Sequence, residues 1–144
     1  MLRAVVIDDI ETIRNKNVAI IKASCPNISI IGQAESVESG ISIIKQLSPD
    51  IVFLDEPTSG LDPIGAAEFD ELVAKLRDTM GLTVYMVTHD LDSLFSVCDR
   101  IAVLGNKKVL VEGTVAQMLE SEEPWVKSYF RGKRARQLDL TTRT

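Results

Sequence analysis

The sequence predicts an α/β fold in which helices cover both faces of a doubly wound, parallel sheet, giving three layers. Short apolar runs recur along the 144 residues, and the segments between them carry apolar residues at helical spacing. Two of these runs end directly in acidic residues, as strands do at the functional edge of a parallel sheet. The length fits one compact domain, and the chain contains no internal repeat.

The first half contains three predicted strands and two predicted helices. The strands are 4–7, 28–31 and 51–54, and the helices are 11–24 and 37–47. Pro26-Asn27 ends the first helix, and Ser36 is a residue type that caps a helix N-terminus. The third strand is apolar on both faces, which is typical of a strand inside a parallel sheet.

The second half continues the alternation of strands and helices. Its predicted strands are 83–87, 101–104 and 108–112, and its predicted helices are 66–80, 91–98, 115–120 and 124–130. Gly81 is a natural C-terminal stop for the helix before it. Gly105-Asn106 predicts a tight turn, so we expect the sixth strand to return antiparallel to the fifth.

Composition excludes several classes of function. A net charge of −5 argues against a nucleic-acid partner, and no apolar run is long enough to span a membrane. Cys25 and Cys98 lie far apart and predict reduced thiols in a cytoplasmic protein. His89 is the single histidine, which excludes a two-histidine metal site. We expect no obligatory partner, and a flexible basic tail at 132–144.

Acidic residues follow the first and third predicted strands. Asp8 and Asp9 end the first strand, and Asp55 ends the third. If the two strands are neighbours, three carboxylates converge on one cleft, an arrangement that favours a hard cation such as Mg²⁺. In the alternative interpretation, Asp8 or Asp9 only caps the following helix. We expect the protein to require no cofactor, and Mg²⁺ is the ion that the acidic cleft could bind.

Three segments of the first half share a known pattern: Val5-Val-Ile-Asp-Asp9, Ile28-Ser-Ile-Ile-Gly-Gln-Ala-Glu-Ser36 and Ser48-Pro-Asp-Ile-Val-Phe-Leu-Asp55. With them, residues 1–55 resemble the receiver domain of LytTR-type response regulators. The resemblance implies that Asp8 and Asp9 hold Mg²⁺ and that Asp55 accepts a phosphoryl group. It also implies that Thr88, after the fourth strand, supplies a hydroxyl. The receiver's lysine has no clear match, because the nearest lysine, Lys107, lies in a predicted turn.

A second set of segments begins at the same third strand. They are Ile51-Val-Phe-Leu-Asp-Glu-Pro57, Ser59-Gly-Leu-Asp62, Val87-Thr-His-Asp90 and the hairpin region 99–114. Residues 51–131 resemble the C-terminal part of an ABC-transporter ATPase, with a Walker B strand, a D-loop and a switch histidine in order. Two further segments, 63–67 and 124–130, most resemble the Mla/Mce phospholipid-trafficking type.

The ATPase resemblance implies a role for three residues. Asp55 would position Mg²⁺, Glu56 would act as general base, and His89 would contact the γ-phosphate. For His89 alone, an ordinary hydrogen-bonded histidine is the alternative. The 144 residues contain no Gly-x-x-x-x-Gly-Lys-Ser/Thr phosphate loop and no Leu-Ser-Gly-Gly signature. We therefore expect Asp55, Glu56, Thr88 and His89 to be vestigial and the chain not to be an enzyme.

Both resemblances use the strand that ends at Asp55. This predicts an engineered fold chimera without intact native activity, built as one domain over 1–144 from a receiver-like part, 1–55, and an ATPase-like part, 56–131. The expected strand order is the flavodoxin-like 2-1-3-4-5, with the sixth strand antiparallel at the edge. A monomer is expected, with a domain-swapped dimer as the alternative. Two alternative functions are a cation-binding receiver-like domain that accepts phosphate at Asp55, and an inactive ABC ATPase fragment.

Overall fold

The computed structural model describes residues 1–130, which form six strands and six helices. The strands are β1 (Leu2–Ile7), β2 (Ile28–Ala34), β3 (Ile51–Asp55), β4 (Thr83–Val87), β5 (Ile101–Gly105) and β6 (Lys108–Gly113). The helices are α1 (Glu11–Ser24), α2 (Val37–Leu47), α3 (Pro63–Met80), α4 (Leu91–Val97), α5 (Val115–Glu120) and α6 (Pro124–Phe130). No helix in this range is long and apolar enough to cross a membrane.

Residues Met1–Thr88 form a compact unit around a parallel sheet in the order β2-β1-β3-β4. In the register of this sheet, Leu54 of β3 pairs with Ile7 of β1 on one side and with Met86 of β4 on the other. Both edges of β3 are therefore hydrogen-bonded, and its side chains are largely enclosed. This position explains why β3 is apolar until it reaches Asp55.

The two faces of this sheet carry different helices, because adjacent residues of a strand point to opposite faces. On one face, Val6 packs with Val18 and Ile21 of α1 in a buried apolar cluster. On the other face, α2 approaches β1 so closely that a Cβ at Gly40 would lie 2.5 Å from Cδ1 of Ile7. A larger residue at Gly40 would push α2 away from the sheet. Helices on both faces of a mostly parallel sheet confirm the predicted α/β class.

Local side-chain caps begin the two helices on this second face. Ser36 and Ser39 form a reciprocal capping box at α2, with Ser39 N–H donating to Ser36 Oγ at 3.1 Å. Asp62 caps α3 by accepting a hydrogen bond of 2.6 Å from the Gly65 N–H, and Pro63 occupies the first helical position. Because both residue types favour a helix start, α3 begins at Pro63 and not at the predicted residue 66.

From His89 onward the chain forms a second compact unit, described as far as Phe130. Its core joins α4, α5 and α6 to the β5–β6 hairpin, and Met118, Val126 and Phe130 are fully buried in it. The ring of Phe130 meets that of Phe95 edge-to-face with centroids 6.2 Å apart. The short helices of this unit are thus held by a shared apolar core and not by their length.

β5 does not extend the four-stranded sheet. It pairs with β6 in an antiparallel sheet of two strands, so the predicted order 2-1-3-4-5 with β6 at the same edge is wrong after the fourth strand. The antiparallel pairing of β6 with β5, predicted from the turn between them, is confirmed. Asn106 and Lys107 both have positive φ, 51° and 62°, as the central residues of a type I′ turn require. This local hairpin gives β5 a hydrogen-bonded partner within its own compact unit, so the strand forms without pairing to β4.

The boundary between the two compact units lies at Thr88, whereas the sequence prediction treated 1–144 as one domain with a junction at Asp55. β3 runs through Asp55 without a break in its pairing, since Asp55 pairs with Val87 of β4. The flexible basic tail predicted at 132–144 lies outside the described residues.

The Lys107→Gly variant should have a more stable hairpin, because glycine adopts positive φ without the clash that a lysine Cβ meets. We expect the free energy of unfolding to rise by up to about 1 kcal/mol, since the relief of strain is partly offset by the entropy of glycine. Urea denaturation followed by the fluorescence of Trp125, which lies in the same unit, measures the change. The matched control, Lys108→Gly in β6, should lose about 0.5–1 kcal/mol. An equal loss in both variants would contradict the turn assignment.

Candidate functional site

The parallel register brings the acidic ends of β1 and β3 together. Because Ile7 pairs with Leu54, the residues that follow them, Asp8 and Asp55, lie side by side at the carboxyl ends of β1 and β3. Asp9 follows Asp8 and is exposed. We call these three residues, Asp8, Asp9 and Asp55, the acidic edge. The carboxyl ends of parallel strands are where open α/β sheets carry their functional groups.

Asp8 is the buried member of the acidic edge, with 6% of its surface exposed. Its Oδ1 accepts a hydrogen bond of 2.9 Å from the Ile10 N–H, just before α1. Burial is the main reason that the pKa of Asp8 lies above its ordinary value; the Ile10 hydrogen bond opposes the rise, and the nearby carboxylates of Asp55 and Asp9 add to it. A cation beside Asp8 would therefore stabilise its ionised form.

Two residues of α1 that sequence reasoning did not single out contact this edge. Asn17 donates from Nδ2 to Oδ2 of Asp55 at 3.2 Å, and Arg14 donates from Nη1 to the main-chain oxygen of Asp8 at 2.8 Å. Asparagine is a weak helix former, so its presence inside a predicted helix indicates that the Asn17 side chain forms a hydrogen bond outside the helix. Arginine is ordinary on a helix surface, so Arg14 gave no such signal.

The carboxylates of the acidic edge fit a Mg²⁺ ion that is held by only one or two protein ligands. Within residues 1–130, no group of three or more His, Cys, Asp or Glu side chains is arranged to hold a metal ion. Mg²⁺ commonly takes one or two carboxylates and completes its shell with water and substrate phosphates. The three-residue site of Asp8, Asp9 and Asp55 stays a prediction, and the structure brings Asp8 and Asp55 together at its centre.

Glu56 begins a tight turn that leads from β3 towards α3. Its φ of 46° is a conformation that few residues other than glycine adopt, and such strained residues cluster at functional sites. Its N–H donates to the Val87 carbonyl at 2.7 Å, and its carbonyl accepts from the Ser59 N–H at 3.1 Å. The main chain of Glu56 is therefore fixed on both sides, directly after Asp55. No sequence signal predicted the positive φ.

The remaining predicted site residues flank the boundary between the compact units. Thr88 follows Val87, the β4 residue that pairs with Asp55, so Thr88 lies at the same sheet edge as Asp55. His89 begins the second unit, where its main-chain carbonyl accepts a hydrogen bond from the Tyr129 hydroxyl. The proposed contact of His89 with a γ-phosphate stays a prediction.

No protein-family model matches the chain. Comparison with individual known proteins identifies similar ATP-binding proteins of transport systems. The intermembrane phospholipid transport system ATP-binding protein of Haemophilus influenzae is 33% identical over 87 residues, 60% of this chain and 33% of that protein. An energy-coupling factor transporter ATP-binding protein of Latilactobacillus sakei is 36% identical over 104 residues, 72% of this chain and 33% of that protein. The chain is similar to the ATP-binding proteins of ABC transporters. It spans about a third of the length of these relatives.

Solved structures agree with this similarity. The cbiO1 protein of Clostridium perfringens, described as part of an ABC transporter complex, has a TM-score of 0.52 and 30% identity, covering 69% of this chain and 40% of that one. A receiver domain of the putative response regulator NarL from Mycobacterium tuberculosis has a TM-score of 0.50 and 23% identity, covering 68% of this chain and 79% of that one. At that identity the likeness to a receiver shows the fold alone.

These similarities overturn two expectations from the sequence. The prediction of an engineered chimera without native activity is wrong, because the relatives are ATP-binding proteins of ABC transporters and an ATPase fragment fits them better. The prediction that the chain is not an enzyme is contradicted by the same relatives, which belong to a class of ATP-hydrolysing enzymes. A match of 104 residues within 144 must begin at or before Ile41, so the similarity also crosses the proposed junction at Asp55.

Asp8→Asn should stabilise the protein at neutral pH. The raised pKa means that the folded state binds the Asp8 proton more tightly than the unfolded state, so this residue's contribution to stability is lost as pH rises through the folded pKa. Asparagine keeps an oxygen for the Ile10 N–H and removes the charge. We expect a gain of about 0.5–2 kcal/mol at pH 7, the usual range for improving a charge interaction.

Urea denaturation followed by circular dichroism at several pH values measures this gain, which should shrink as pH falls towards 3.8, the ordinary value for an aspartate. Glu71→Gln, an exposed carboxyl-to-amide change on α3, is the matched control and should change stability little at any pH. A gain that is constant with pH, or a loss at pH 7, would contradict the assigned cause.

Proposed function

We propose that this chain carries the cation-orienting and water-activating part of an ABC-type ATP hydrolysis site. The observation that supports this most strongly is Asp55-Glu56 at the end of β3, in a chain whose relatives are ABC-transporter ATP-binding proteins. Asp55 would hold Mg²⁺, and Glu56 would accept a proton from the attacking water. The segment 59–62, which ends at the cap of α3, would form the D-loop.

The contacts around Asp55 and Glu56 suit the binding of Mg²⁺ and the activation of water. Asn17 donates to one carboxylate oxygen of Asp55 and leaves the other free to face a cation. When bound there, Mg²⁺ would neutralise charge that develops on the phosphate oxygens. Glu56 follows on a main chain fixed by hydrogen bonds to Val87 and Ser59, so its carboxylate starts from a rigid point beside Asp55. Positioning of this kind is the main contribution of protein groups to phosphoryl transfer.

Because the 144 residues contain no phosphate loop, we expect weak nucleotide binding and slow hydrolysis. In the usual arrangement, the N–H groups and lysine of that loop hold the triphosphate. With no such sequence among the 144 residues, the contacts to phosphate within this chain rest on the cation and on the residues around Asp55. We therefore propose slow hydrolysis that requires millimolar Mg²⁺–ATP, unless a partner supplies further phosphate contacts.

The biological setting follows from the relatives and is part of the same proposal. The match to the Haemophilus influenzae protein supports the phospholipid-trafficking type, and the names of other relatives refer to energy-coupling factor and methionine import transporters. We propose that the chain acts in the cytoplasm beside the membrane components of a transporter. This replaces the expectation of a protein without partners.

The Glu56→Gln variant should lose ATP hydrolysis, because an amide cannot accept the proton of the attacking water. We expect a fall of about 100-fold or more in the initial rate of phosphate release at millimolar Mg²⁺–ATP, the usual loss for a general base. Glu68→Gln, the same change at an exposed position on α3, is the control and should keep the wild-type rate within about twofold. Wild-type release no faster than the protein-free blank, or an unchanged rate in Glu56→Gln, would refute the proposal.

A further inference from the structure

A cavity of about 460 Å³ lies in the first compact unit, between the sheet and the helices α2 and α3. Its walls are mostly aliphatic and aromatic, and its volume is within the roughly 300–1,000 Å³ of small-molecule sites. The body of the cavity is lined by Ile41, Ile44, Val52, Leu72, Leu76 and Val84, among others. Nothing in the proposed ATP chemistry uses this apolar space.

Every charged side chain in the lining is acidic. Five carboxylates line the cavity, and no lysine, arginine or histidine does; the carboxylates are Asp8, Asp9, Glu35, Asp55 and Glu56. They come from three places in the chain: the end of β1, the residue after β2, and the end of β3 with the residue that follows. Arg14, the cation close to Asp8, directs Nη1 to a main-chain oxygen and not to the carboxylate. The side chains that line the cavity therefore include no cation that could offset their negative charge.

Apolar walls and a one-signed charge restrict the chemistry of a ligand. An anion would be repelled by the carboxylates, and a small hydrated cation gains nothing from aliphatic walls. A neutral apolar molecule would fill the body but leave the carboxylates facing each other. A molecule with a cationic head and an apolar body satisfies both parts, and it would relieve the repulsion around the buried Asp8.

We propose that this cavity binds amphiphilic organic cations, namely primary or quaternary amines on an aryl or alkyl body. The ammonium group lies at the acidic end of the cavity, beside the neighbouring carboxylates of Asp8 and Asp55, and the apolar body extends between α2 and α3. Binding of this kind requires neither ATP nor Mg²⁺, although Mg²⁺ would compete with the ammonium group for the carboxylates of the acidic edge. It can therefore be measured on the whole chain without nucleotide, so that its failure and the failure of ATP hydrolysis are separate results.

Three probes with one apolar body test the proposal by isothermal titration calorimetry: 4-phenylbutylamine, 4-phenylbutanol and 4-phenylbutyrate. We expect the amine to bind at least about tenfold more tightly than the alcohol, and the carboxylate not to bind measurably. Equal affinities for all three, or no binding of the amine, would overturn the proposal.

Two variants tie the binding to this cavity. Glu35→Gln removes one lining charge away from Asp55 and Glu56, and it should weaken amine binding about threefold without changing alcohol binding; Glu38→Gln, on the exposed first turn of α2, is the matched control and should change neither. Leu72→Phe fills part of the cavity and should weaken the amine and the alcohol together, with folding checked by circular dichroism. If neither Glu35→Gln nor Leu72→Phe weakens amine binding, the amine occupies another place and the proposal fails.

Discussion

The parallel pairing of β3 between β1 and β4 is the constraint on which the rest of the first unit depends. This strand has only five residues, yet its hydrogen bonds on both sides fix the register of the sheet. Asp8 and Asp55 meet because Ile7 pairs with Leu54, and Glu56 is anchored because its N–H reaches the carbonyl of Val87. A slip of one residue in this register would reverse which side chains face each helix and would separate the carboxylates.

Repulsion among the carboxylates of the acidic edge opposes folding and favours the binding of a cation. Asp8 is buried beside two other carboxylates, which raises its pKa and makes its ionised form costly. The contacts from α1 do not neutralise this edge, since Asn17 is uncharged and Arg14 reaches a carbonyl. Groups that cost stability in this way are usually retained where they contact a ligand. Both the cation of ATP hydrolysis and an organic ammonium would supply the missing positive charge.

Local patterns predicted most of the elements, because strand runs, caps and turn residues act within a few positions of the chain. Ser36, Gly81 and the turn after Gly105 lie where they were expected. The failure concerned long-range pairing: the hairpin of β5 with β6 forms as the turn predicts, but the expected pairing of β5 with β4 does not. At the site, Asp8 and Asp55 could be predicted from the ends of apolar strands. The contact of Asn17 and the positive φ of Glu56 depend on tertiary packing, which no short motif encodes.

The proposed cation site at the acidic edge depends on the pairing of β1 with β3. Paramagnetic broadening of backbone amide signals by substoichiometric Mn²⁺, used in place of Mg²⁺, tests it directly. We expect selective broadening at Asp9, Ile10 and Glu56, and its loss in Asp55→Asn, while the amides of the β5–β6 hairpin turn stay sharp. No broadening at Asp9, Ile10 and Glu56, or broadening that persists unchanged in Asp55→Asn, would show that the acidic edge does not bind the cation.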